Sequence, residues 1–134
     1  MIKETITYVD YNGVERTEDF YFHLTKADVT KMELGVKGGL SELIKRVIAA
    51  DDTPTVISIF EDLIKRSYGV KTPDGRGFLR RPEDLEMFMA TEAYSILFMK
   101  LSTDAKAASR FVNGVVPPDL APGDSAVNLE PASN

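Results

Sequence analysis

His23 is the first residue whose chemistry could serve catalysis, because an imidazole titrates near neutral pH and can act as a general base or a proton switch. It is the only histidine, and the chain contains no cysteine. Most nucleophile–histidine and metalloenzyme designs, and every thiolate site, are therefore excluded. No clear partner stands near His23, which reads as a residue on the face or edge of a hairpin. Gly35-Val36-Lys37-Gly38-Gly39 has the glycines and lysine of a phosphate loop. Such a loop ends in Lys-Ser/Thr, so that backbone amides, ammonium and hydroxyl act together. Here two glycines follow the lysine and no strand precedes it, so the segment reads as a helix stop and a loop. Asp51-Asp52 and Glu61-Asp62 are adjacent carboxylates. On a helix Glu61 and Asp62 diverge by about 100° and do not converge on one cation, and Asp51-Asp52 could ligate Mg²⁺ only with a third ligand that the sequence does not suggest. They read as solvated helix charges. The expectation is no catalytic residue, no metal site and no cofactor.

Two segments could bind rather than react. Lys71, Arg76, Arg80 and Arg81 surround Phe78, a patch suited to an acidic peptide or a phosphate, although a solvated loop with Phe78 anchored in the core explains it more simply. From Ala93 to Leu101 the apolar residues run nearly all round a helix, wider than one buried stripe requires. Such a helix is central and buried or exposed for binding, with burial the preferred reading. Met99 and nearby Met87 and Met89 would give an adaptable surface; Met87, Phe98 and Met99 are the candidate partner-binding residues.

These residues need a scaffold of 134 residues, a single-domain length that buries roughly two-thirds of the unfolded surface. Ile2, Ile6 and Tyr8 alternate with polar residues ahead of Asn12-Gly13, so residues 1–24 read as a β-hairpin. A two-residue turn would put Phe20 and Phe22 on the wrong face. A three-residue loop, Tyr11-Asn12-Gly13, sets Ile2 against Phe22 and Glu4 against Phe20. Arg16 and Glu18 share that face at the hairpin tip, beyond the core. Thr25 and Asp28 form a capping box for a helix reaching about Leu34. Leu40, Leu43, Ile44, Val47 and Ile48 mark a second helix, ending near Ala50. Thr53-Pro54 opens a third, with Val56, Ile57, Phe60, Leu63 and Ile64 as its stripe and Gly69 closing it. Residues 70–81 read as a loop. Pro82 starts one or two helices to Leu101, with Thr91 as the cap if the run breaks. Ser102-Thr103-Asp104 begins a last helix that Asn113-Gly114 ends.

The fold class is thus α+β, an N-terminal antiparallel hairpin followed by a bundle of about five helices. Residues 1–116 form the domain (hairpin 1–24, helical part 25–116) and 117–134 a Pro-rich acidic tail. The net charge of −5 lies at the two ends, with −3 in residues 1–24, −3 in the tail and +1 between. That balance argues against nucleic-acid binding. The first residues lack the apolar core of a secretory signal, and no apolar stretch approaches the roughly 20 residues of a membrane span.

The run Tyr11-Asn12-Gly13-Val14-Glu15-Arg16-Thr17-Glu18-Asp19-Phe20-Tyr21-Phe22, with Leu24-Thr25-Lys26-Ala27, resembles the tail assembly chaperones of siphophages and prophages. So do Gly38-Gly39-Leu40, Ser67-Tyr68-Gly69, Asp74-Gly75-Arg76 and Thr91-Glu92-Ala93-Tyr94-Ser95 leading into Leu97-Phe98-Met99. The likeness spans residues 1–116. It implies a non-enzymatic protein of the host cell cytoplasm that coats the phage tape-measure protein and keeps it soluble until tube subunits polymerise. It also implies that a longer product can arise by ribosomal frameshifting. Copies arrayed on such a client could self-associate through their hairpin edges. The alternative is a structural virion component, a neck or tail-completion protein.

Overall fold

A computed structural model of the chain describes residues 1–35 and 53–117. Strands β1 (Ile2–Val9) and β2 (Glu15–Phe22) form the hairpin in the expected register, Ile2 opposite Phe22 and Glu4 opposite Phe20. The Asp10 amide donates to the Val14 carbonyl at 2.8 Å, and the Gly13 amide to the Asp10 carbonyl at 2.9 Å. Gly13 closes the three-residue loop with φ +81°, a left-handed conformation that glycine adopts without a Cβ penalty. Alternation then buries Glu4, Ile6, Tyr8, Phe20 and Phe22 on one face. At the tip of that face Arg16 pairs with Asp10 at 2.7 Å and with Glu18 at 3.3 Å.

Helix α1 (Lys26–Gly35) opens on the predicted box. The Thr25 amide donates to Asp28 Oδ2 at 2.8 Å, and the Asp28 amide to Thr25 Oγ1 at 3.1 Å. Helix α2 (Thr53–Ser67) carries Lys65 and Arg66 in its last turn, where they complement the helix dipole. Phe60, Leu63 and Ile64 are buried as the stripe requires, whereas Ile57 is exposed. The predicted helix from Leu40 to Ala50, Gly38-Gly39, Asp51-Asp52 and residues 118–134 lie outside the described residues.

The largest departure from expectation lies between residues 68 and 81. Strands β3 (Tyr68–Lys71) and β4 (Phe78–Leu79) pair with each other and extend the hairpin into a four-stranded antiparallel sheet of order β1-β2-β3-β4. Tyr21 stands opposite Gly69 and Val70 opposite Leu79. Gly69 is therefore a strand residue. A Cβ there would lie 2.6 Å from the Phe78 ring and 2.9 Å from the Leu79 carbonyl oxygen, so the close strand approach requires glycine. The β3–β4 turn is built around Asp74, which accepts from Thr72 Oγ1 at 2.7 Å and the Arg76 amide at 3.1 Å, with Gly75 at φ +77°.

Residues 82–103 form two helices, α3 (Pro82–Met89) and α4 (Glu92–Thr103). Thr91 stands at the break without capping α4: its hydroxyl donates backwards to the Phe88 carbonyl at 2.7 Å. Asp104 caps α5 (Ala105–Val115), accepting from the Lys106 and Ala107 amides at 3.0 and 3.1 Å. α5 continues through Asn113-Gly114 because Gly114 serves packing there. Ile2 Cβ lies 2.9 Å from where a Gly114 Cβ would stand.

The core joins both layers through Phe88. Its ring stacks on Tyr68 at 4.5 Å and meets Phe20 at 4.9 Å, Phe22 at 5.8 Å and Tyr94 at 5.8 Å. Phe22 also packs edge-on against Phe111 at 5.3 Å. The architecture is the expected hairpin-led α+β fold, with five helices among the described residues.

Candidate functional site

Among the described residues most groups with chemical potential are engaged in the fold, although the buried Nδ1 of His23 has no hydrogen-bond partner. His23 donates its backbone amide to the Ser67 carbonyl at 2.9 Å and meets Phe78 edge-on at 6.2 Å. Burial, then the positive charges of the N-terminus and Arg80, pull its imidazole below the ordinary value, while Asp28 opposes them. Arg80 holds Asp28 at 2.8 Å and donates to the His23 carbonyl at 2.6 Å. Burial pushes the Asp28 carboxyl upward, but hydrogen bonds from Thr25 and Arg80 outweigh it and leave the group below the usual range.

The same contacts dissolve the basic patch. Lys71 lies over the Tyr21 ring at 4.2 Å, Arg80 is engaged as above, and Arg81 pairs with Asp84 at 2.7 Å. Three of its four cations thus brace the second hairpin and the start of α3. Glu61 and Asp62 make i,i+4 pairs with Lys65 and Arg66 at 3.6 and 2.8 Å, the solvated arrangement expected of them. Among the described residues no cluster of three or more His, Cys, Asp or Glu could hold a metal, and no helix is long and apolar enough to cross a membrane.

What remains is apolar surface. α4 is both core and surface. Ala93, Leu97 and Leu101 are buried, Tyr94 and Phe98 pack on the core's flank with their rings 6.0 Å apart, and Ile96 and Met99 face solvent. Met99 is 54% and Met87 67% exposed. Phe98 is half-buried, so of the three candidate residues the two methionines are exposed and the aromatic ring packs on the core. Sequence reasoning named Met89 but missed the shallow, mostly apolar groove that it lines with Lys65, Pro82, Leu85, Glu86 and Ala90. It also missed the exposed hairpin tip of Val9, Tyr11 and Val14, and Ile96. The sequence pattern misplaced Ile96, because its i,i+3 spacing from Ala93 put it on the buried stripe, whereas the structure leaves it 43% exposed.

A surface of flexible apolar side chains without a reactive constellation is what a protein-binding module requires. A family model described as phage tail assembly chaperone matches residues 1–127. The chain belongs to this phage tail assembly chaperone family. The match runs past residue 116 into the acidic, Pro-rich segment, so the family's likeness is wider than the run of motifs suggested. No curated protein and no solved structure matches the chain.

Proposed function

We propose that this tail assembly chaperone binds the phage tape-measure protein in the host cell cytoplasm and keeps it soluble during tail assembly, without enzymatic chemistry of its own. The observation that carries the reading is the exposure of Met87 and Met99 on successive helices, close in sequence to the Pro82–Ala90 groove. Unbranched thioethers adapt to many apolar partners, and an amphipathic client helix presents its apolar stripe to such grooves. Each contact is weak, and many copies on one long client would hold it by multivalency.

Co-expression with the tape-measure protein should raise that protein's soluble fraction and allow the two to be purified together. The double variant Met87→Asp/Met99→Asp should lose co-purification while retaining its melting temperature, because both side chains are at the surface. Unchanged client solubility without co-purification would overturn the proposal. Detection of the chain in purified virions would instead favour the structural alternative, a neck or tail-completion component.

A further inference from the structure

β1 is the outer strand of the sheet, and among the described residues it pairs with β2 alone. The Asp10–Val14 closing bond sets the alternation: even-numbered positions of β1 bond to β2, and the backbone groups of Lys3, Thr5, Thr7 and Val9 point away from the sheet. All four residues are exposed. The strand is regular over its eight residues and contains no proline. Features that blunt an edge, Lys3 and the inward Glu4, stand only at its beginning. Unused donors and acceptors along an extended backbone are satisfied by another strand.

The charges along this edge indicate which strand. At the hairpin tip Asp10 is paired with Arg16, which leaves Glu15 of β2, opposite Val9, as the acidic charge next to the edge, and the other end carries Lys3. The helix beneath spans the same length. Glu92 of α4 lies at the tip end, 3.5 Å from the Tyr11 hydroxyl, and Lys100 at the far end, 3.2 Å from the buried Glu4 carboxylate. Ile96 stands one helical turn from each, 43% exposed. An edge with Glu15 beside one end and Lys3 at the other disfavours a parallel copy of itself and favours an antiparallel one.

We infer that the chain forms a two-fold dimer by antiparallel pairing of β1 with β1 of a second copy. Outward amides occupy odd positions, so odd must face odd. The register centred on Ile6 places Thr5 opposite Thr7, and Lys3 opposite Val9, beside the acidic Glu15 of the other copy. It also brings the two Ile96 side chains towards the axis, between Glu92 of one copy and Lys100 of the other. Such an interface is isologous, as closed symmetry demands. The inference does not depend on the identity of the client, since it uses neither Met87 nor Met99.

Sedimentation equilibrium of the full chain should show a dimer at micromolar concentration. Thr7→Pro removes an amide that β2 does not use, so it should give a monomer with an unchanged far-ultraviolet circular dichroism spectrum. Should that variant unfold, Thr5→Lys/Thr7→Lys changes only exposed side chains and should give the same monomer. Lys3→Glu should weaken dimerisation severalfold. Ile96→Cys, the sole cysteine of its chain, should cross-link into a covalent dimer under mild oxidation. A wild-type monomer at every concentration, or a dimer that survives a folded edge variant, would overturn the inference.

Discussion

At the scale of single residues the fold stores a pH dependence. His23 is held below the ordinary imidazole value, so the unfolded chain takes up its proton more readily than the folded one. Stability therefore falls as pH drops through the range near 6.5, the usual imidazole value. Asp28 has the opposite chemistry and the same sign. Its lowered carboxyl contributes stability above the free aspartate range of about 4, which is lost as pH falls further through its folded value. The melting temperature should thus decline in two stages on acidification. His23→Gln should remove the upper stage and leave the lower; an unchanged upper stage would show that other groups carry it. The sequence identified His23 as structural, because an imidazole without a nucleophile or metal partner has no chemistry to perform. It could not identify Arg80 as its neighbour, since that contact joins positions 57 residues apart.

At the scale of elements, the first hairpin was legible and the second was not. Eight-residue strands with alternating apolar side chains and an Asn-Gly turn carry enough period to fix both pairing and face. β3 has four residues and β4 only two, too few for alternation to register. Gly69 reads as a helix stop in one dimension and acts as a space-saving strand residue in three. The candidate surface was partly legible for a related reason: a stripe identifies Leu97 and Leu101 as buried, but the depth of Phe98 against Tyr94 is a tertiary outcome. The junction of these elements is Phe88, whose ring touches residues of β2, β3 and α4. Phe88→Ala should cost about 3–5 kcal/mol of unfolding free energy. Chemical denaturation read by circular dichroism would measure it, and a loss below about 1 kcal/mol would show that the surrounding rings collapse into the space.

At the scale of the molecule, the two ends of the described chain close on each other. The Leu24 amide donates to the Val115 carbonyl at 2.9 Å, Ile2 packs on Gly114, and Phe111, Val112 and Val115 are buried. A chain ending at residue 104 lacks all of these and should fail to fold, giving no cooperative thermal transition; a cooperative transition would show that the sheet and α1–α4 suffice. The sequence predicted α5 but not this closure, because helical periodicity reports one face of an element and not the distant strand it covers. The same closure orders events during synthesis. A ribosome makes β1 first and α5 last, so the aromatic face of the hairpin emerges well before the helix that completes its cover. The native core can close only when residues 105–115 have left the exit tunnel. Until then each nascent copy exposes apolar surface of its own, and this chaperone is for that interval a protein in need of cover itself.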